Sequence, residues 1–195
     1  MYLFYYEIHP MRSTKESIIQ LADDLIRRRG YNAFSYKDIS KVLSIKNAAI
    51  HYHFPTKSDL GAAVIDLHIQ KIEQFIRSVA SLSASEKLEA FLSIYDEIQA
   101  SNKVCLVGTL ASDWDTIDPK IQQKLTAFAS MVGDWLTGIM EDGQKDGSLI
   151  IKGDARTKAL LVITSVMAAA QLARIMGPES FLRVKNALLN ELTNH

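Results

Sequence analysis

Cysteine occurs once in this 195-residue chain, at Cys105. A single thiol excludes an internal disulfide and suits a reducing cytoplasm. No apolar run reaches the roughly 18 residues that a membrane span needs, so no membrane partner is expected. The opening "MYLFYYEIHP" lacks a basic n-region and a small-residue cleavage site, which argues against a signal peptide. It reads as a peripheral extension, either an ordered arm or upstream sequence ahead of a natural start at Met11. Also missing are any sustained two-residue alternation, the mark of a half-buried strand, and any repeat or low-complexity tract.

What is present suits a packed protein. Hydrophobic residues make up 48% and charged residues 23%, enough for a core and a solvated surface. The length fits one large domain, or a small domain joined to a larger one. Net charge is zero but unevenly spread. Residues 11–60 hold nine Lys/Arg against five Asp/Glu, and residues 61–195 hold thirteen against sixteen. A basic first quarter on an acidic remainder points to a polyanion meeting the N-terminal part, with ordinary fluctuation as the alternative.

Periodicity predicts helix nearly throughout. "TKESIIQLADDLIRRRG" carries Ile18, Leu21, Ala22, Leu25 and Ile26 on one stripe, and Gly30 stops it. In "SYKDISKVLS", Ser35 and Asp38 form a variant capping box ahead of a helix of about eight residues. A turn at Ser44-Ile45 leads into "KNAAIHYHF", which Pro55 ends because the residue before proline is pushed out of the α region. Thr56 with Asp59 makes a second capping box and opens a long helix from Lys57. "EKLEAFLSIYDEIQ", a short apolar "CLVGTLASDW", and a helix starting at Asp118-Pro119 and running to Gly143 or Gly147 follow. Asp154 caps "ARTKALLVITSVMAAAQLARI", Gly177-Pro178 breaks it, and "ESFLRVKNALLNEL" closes the chain. The fold class is all-α, about nine helices, three small ones followed by a larger bundle.

The most unusual stretch is "HYHF". In a helix, His51 and His53 are two positions apart, about 200° of rotation, so their rings diverge. A helical metal pair needs i,i+4 spacing, which is absent, and no acidic or cysteine ligand shares a face with either ring. No metal, cofactor or catalytic role is expected. The rival reading is a small helical metal-dependent or acid–base enzyme using His51, His53 and Asp59. Two short helices joined by a tight turn behind a longer packing helix instead describe a helix-turn-helix, whose third helix enters the DNA major groove. Ile39, Leu43, Ile45, Ile50 and Phe54 would face inward, leaving Lys46, Asn47, Ala49, His51 and Tyr52 outward or sideways. Lysine, histidine and tyrosine can donate to phosphate, asparagine can pair with a base edge, and alanine permits close approach.

"FSYKDISKVLSIKNAAIHYHFPTKSDL" resembles the DNA-binding signature of the TetR family of bacterial transcriptional regulators, over about residues 14–65. The resemblance implies contacts to backbone or groove edge from Tyr36 and Lys37, and base reading by Asn47, Ala48 and Ala49. It places His51 at an aromatic position that touches phosphate or base, continued by Tyr52 and His53, and it assigns Lys57 to phosphate. Three departures stand out. Ser44 replaces the turn glycine, Lys46 replaces a serine cap while offering a phosphate contact, and Ala48-Ala49 replaces more polar readers. The implied protein is cytoplasmic and not an enzyme. It would be a ligand-responsive repressor acting as a homodimer on a palindromic, double-stranded DNA operator. Residues 11–56 would form the DNA-binding domain and 57–195 the ligand-binding and dimerisation domain.

A dimer also follows from geometry, because one head covers only one half-site. Leu160, Ile163 and Met167 on the penultimate helix, with Leu182 and Leu189 on the last, would pair with their copies in a four-helix interface; an intrachain core is the alternative. An unknown small-molecule effector would sit among Phe91, Tyr95, Cys105, Leu110, Trp114, Phe128, Met131 and Trp135, unless these are ordinary core. In the resemblance, Cys105 falls in a segment that some relatives use to sense electrophiles. A buried inert thiol is the preferred reading, since Lys103 is the only neighbouring base in sequence.

Overall fold

The computed structural model describes residues 13–193; the expected N-terminal extension, residues 1–10, lies outside them. Among the described residues there are nine α-helices and no strand. They are α1 (Thr14–Arg29), α2 (Tyr36–Leu43), α3 (Asn47–His53), α4 (Lys57–Ser78), α5 (Ala84–Ala100), α6 (Leu106–Ser112), α7 (Pro119–Asp146), α8 (Ala155–Met176) and α9 (Pro178–Leu192). A single 3-10 turn, Trp114–Thr116, links α6 to α7.

Helix starts follow side-chain chemistry. Four capping boxes open helices at Ser13/Glu16, Ser35/Asp38, Thr56/Asp59 and Ser83/Glu86. In each, the acidic side chain accepts from the cap N–H, satisfying a donor the helix cannot. Asp118 and Asp154 cap α7 and α8 by accepting from Lys120 N–H and Thr157 N–H. Of the two glycines offered as the end of α7, Gly147 is the stop, in the left-handed region at φ 78. Gly143 stays helical and is buried against Leu149.

The helices pack around two cores. The first joins Ile18, Leu25 and Ile26 of α1 to Ile39, Ile50 and Phe54 of the short helices. It continues without a gap through Leu60, Val64 and Ile65 of α4 to Leu106 and Leu110 of α6 and Ile121, Leu125 and Phe128 of α7. The second is built from Leu88, Phe91 and Leu92 of α5, Leu136 and Met140 of α7, Val162 and Val166 of α8, and Phe181 of α9. α4 is thus the helix that leaves the three-helix head and enters the body. Residues 56 and 57 mark the start of α4 rather than a break in the core.

α8 exceeds what its sequence runs suggest. Over 22 residues its mean hydropathy reaches 1.8 in an 18-residue window, long and apolar enough to cross a membrane, with 33% of that window buried. Val162, Val166, Ala169, Ala170 and Ala173 form its buried side, while Leu160, Leu161, Leu172, Ile175 and Met176 are exposed.

Where α4 enters the body, the backbones approach closely. A Cβ on Gly61 would lie 2.8 Å from Ile121 Cδ1 and 2.9 Å from a Tyr31 ring carbon, inside ordinary contact. Gly61→Val should therefore lower unfolding stability by about 1–3 kcal/mol, the usual cost of overpacking a filled site. Urea denaturation measures it, and an unchanged midpoint would show that this approach is slack.

Candidate nucleic-acid interface

The head is assembled by a turn and a strut. Ser44 closes α2 in the left-handed region, φ 54 and ψ 38, which costs a non-glycine residue about 1 kcal/mol or more. Its N–H and that of Ile45 both reach the Ser40 carbonyl. The Tyr36 hydroxyl lies 2.8 Å from the Phe54 carbonyl and 2.6 Å from that of Thr56, joining the start of α2 to the end of α3. Burial, with a smaller push from Asp59, raises this phenol to about 12, so it stays a donor. Tyr36, expected at the DNA, is half-buried and spends its hydroxyl hydrogen on these two carbonyls.

α3 has only seven residues, and its orientation comes from what it buries. Ile50 and Phe54 are fully or almost fully enclosed, with Leu43 and Ile45 packed beside them. That leaves Lys46, Asn47, Ala48, His51 and Tyr52 exposed, with Ala49 half-buried; Tyr52 is 83% exposed. No side chain caps α3 at Lys46, as its sequence implies. His51 Nδ1 lies 3.2 Å from the Pro55 carbonyl, and its ring stands edge-on to Tyr36 at 4.8 Å. His53 packs between Tyr52 and Phe54, while the Asp59 carboxylate holds Thr56 and Lys120. The three side chains of the enzyme reading therefore serve three separate sets of partners. Lys37 and Lys41 are exposed on α2, one turn apart, beside an exposed Val42. Lys41 and Val42 are candidates that the sequence reading passed over; their signal is a surface position on the helix preceding the turn.

Lys57 is not displayed with this set. Its ammonium lies 4.7 Å from the Tyr31 ring centre and 4.4 Å from that of Phe34, an arrangement favoured by the negative face of each ring. Burial lowers its pKa, against Asp113 and Asp38, which raise it. A phosphate contact from Lys57 requires it to leave both rings.

Behind the interface, polar contacts fasten head to body. Asp23 of α1, 3% exposed, accepts from His68 Nε2 of α4 at 2.7 Å, with Arg27 at 3.7 Å. Burial pushes the Asp23 carboxyl up, but the His68 hydrogen bond and the charges of His68, Arg27 and Lys71 leave it below the ordinary value. Arg27 Nε–H donates to the Val104 carbonyl (2.9 Å), and Val104 N–H donates back to Arg27 (3.1 Å). Asp113 accepts from Tyr31 N–H (2.9 Å) and Asn32 Nδ2 (3.0 Å). Lys120 Nζ donates to Asp59 at 2.6 Å, and Lys124 pairs with Asp66.

The proposed ligand set is divided between the two cores. In the second core Trp135 stands edge-on to Phe75 and tilted against Phe91, which in turn meets Tyr95 edge-on. Cys105 packs there too, half-buried at the start of α6 against Tyr95, whose phenol is raised well above its ordinary value first by burial and then by Cys105. Leu110, Phe128 and Met131 belong to the first core, where Phe128 touches His68. Trp114 is 40% exposed on the 3-10 turn. Lys103 is turned to Asp24 at 3.1 Å. On the far side, Leu160 and Leu182 are exposed and Ile163, Met167 and Leu189 half-buried.

The sequence pattern of bacterial regulatory proteins, tetR family, matches residues 18–64, which run from α1 through α3 into α4. A TetR-family transcriptional regulator from Agrobacterium tumefaciens superposes with a TM-score of 0.87 at 32% identity, over 92% of this chain and 97% of that one. A TetR regulator from Legionella pneumophila gives 0.85 at 36% identity, over 95% and 100%. An uncharacterized HTH-type transcriptional regulator in the lacX 3' region of Lactococcus lactis subsp. lactis is 28% identical over 132 residues, 64% of this chain and 66% of that one. The chain belongs to the TetR family of DNA-binding transcriptional regulators.

The hydrogen bond from Lys120, with those from Thr56, holds the Asp59 carboxyl at about 2, against 3.8 in an open chain. A lowered value means this contact stabilises the fold fully above the open-chain value and loses its effect as pH falls through the folded one. The thermal midpoint of the wild type should therefore fall more steeply than that of Asp59→Asn between about pH 4 and pH 2. Parallel acid profiles would show that the contact does not form in solution. Separately, Ser44→Gly should stabilise the chain by about 1 kcal/mol by relieving the left-handed residue, measured in the same melts.

Proposed function

We propose that this protein is a cytoplasmic, ligand-responsive repressor that binds a palindromic operator as a homodimer, with residues 11–56 as its DNA-binding head and 57–195 as its effector and dimer body. The exposed polar face of α3, held down by Ile50 and Phe54, is the observation that carries this reading. Lys37, Lys46 and Tyr52 donate to phosphates and fix the register. Asn47 reads a base edge, Ala48 and Ala49 let the helix approach, and His51 stands beside Asn47 one turn along. Tyr36 acts through the geometry of α2 and α3, and Lys57 contributes positive charge near the helix start of α4.

The apolar residues left open on α8 and α9 support a dimer. Leu160, Leu161, Leu172, Ile175, Met176 and Leu182 are exposed, an unusual concentration for a surface that stays in water. Between the two helices runs a groove of about 200 Å³ lined by Leu161, Val162, Leu188 and Leu192 together with Ser165 and the Lys158–Glu191 ion pair, where a second copy's side chains would interlock. An effector among Phe91, Tyr95 and Trp135 would displace α7 and α5. Because α4 packs on α7 and carries the head, that displacement changes the separation of the two heads and weakens operator binding.

Two measurements test this. Leu160→Asp combined with Leu182→Asp should convert a dimer to a monomer in sedimentation, and a variant that stays dimeric would place the interface elsewhere. Binding to genomic DNA fragments should weaken steeply with salt, and Lys46→Ala should reduce the slope of log affinity on log salt by about 1. Affinity indifferent to salt would sink the DNA reading.

A further inference from the structure

His51 follows Asn47 by four positions on α3, so the two project on the same side of the helix. Its Nδ1 is 3.2 Å from the Pro55 carbonyl oxygen. A peptide carbonyl only accepts hydrogen bonds, so Nδ1 is the nitrogen that carries the proton. The ring is steadied by edge-on contact with Tyr36 at 4.8 Å and 63°. Tyr36 is itself held at the carbonyls of Phe54 and Thr56. In a neutral imidazole one nitrogen donates and the other accepts. With Nδ1 donating back to the chain, Nε2 on the opposite side of the ring presents a lone pair outward.

The neighbours differ in kind. Lys46 only donates, and Asn47 and Tyr52 can do both. We infer that His51 reads the operator as a hydrogen-bond acceptor, taking a bond from an exocyclic amino group in the major groove, N4 of cytosine or N6 of adenine. This rests on α3 being the recognition helix. A lone pair repels phosphate oxygens and the O6 and N7 acceptors of guanine, so the neutral ring selects against guanine and contributes nothing to the DNA backbone. The groups facing the ring are the Pro55 carbonyl and the Tyr36 phenol.

The test uses the full chain and a randomised duplex pool. The expected motif demands cytosine or adenine at one position in each half-site. Replacing that base with an analogue lacking the amino group, 2-pyrimidinone or purine, should weaken the wild type about three- to tenfold, the net worth of one hydrogen bond. His51→Ala, its fold checked by circular dichroism and thermal melting, should weaken binding by a similar factor and show no further loss with the analogue. Additive losses from variant and analogue, or a wild type indifferent to the amino group, would overturn the inference while leaving the recognition helix in place. A pool that yields no motif for the wild type would overturn the recognition-helix reading and this inference with it.

Discussion

A carboxylate that is almost entirely enclosed between two helices governs the geometry of this protein. Asp23 can stay ionised there only because His68, Arg27 and Lys71 surround it. Leaving such a charge without a partner costs about 3–5 kcal/mol, so the crossing of α1 over α4 is tightly specified. His68 also leans on Phe128 of α7, and Arg27 also grips the backbone before α6. One buried contact therefore ties together the head, the connecting helix and the body. The adjoining contacts at Asp113, Asp59 and Asp66 all pair a residue of the head or α4 with the residue that ends α6 or with one from α7, so they reinforce a single relative placement.

The recognition helix inherits its precision from that placement. A seven-residue helix has no stability of its own in water. α3 exists because Ile50 and Phe54 plug the head core, and because the Tyr36 strut fixes its C-terminal end against α2. The face it shows to solvent is what remains after those residues are buried. The same logic operates in α8, which turns alanines and valines inward and leaves Leu160, Leu161, Leu172, Ile175 and Met176 outside. α4 packs on α7 and α7 on α8, so the head and this exposed apolar face belong to one packed body.

How much of this the sequence discloses depends on the range of the interactions. The capping boxes at Ser35/Asp38 and Thr56/Asp59, the stop at Pro55 and the strained turn at Ser44 are local, spanning four residues or fewer, and their helices are readable directly. The same signature at Ser13/Glu16 and Ser83/Glu86 was there to be read. The inward and outward sets of the head were also legible, because the helical period fixes them once the turn is known. What the sequence conceals are pairings across long separations. Asp23 meets His68 45 positions later, and Tyr31 meets Asp113 82 positions later. Lys57 and Tyr36 illustrate the consequence: sequence position suggests a phosphate donor and a groove contact, but nearby rings and carbonyls claim both side chains first. The aromatic residues of the body resist reading for a related reason, since periodicity marks them as buried without saying which of two cores receives them.

The central claim is that a rigid joint around Asp23 and α4 holds two copies of α3 at the spacing of the DNA helix. Spin labels on Asn47→Cys in a Cys105→Ser background report that spacing directly in the DNA-free protein. The account predicts one narrow inter-subunit distance near about 34–36 Å or a multiple of it, one turn of the duplex between half-sites. A broad distribution, or a separation unrelated to the helical repeat, would contradict it.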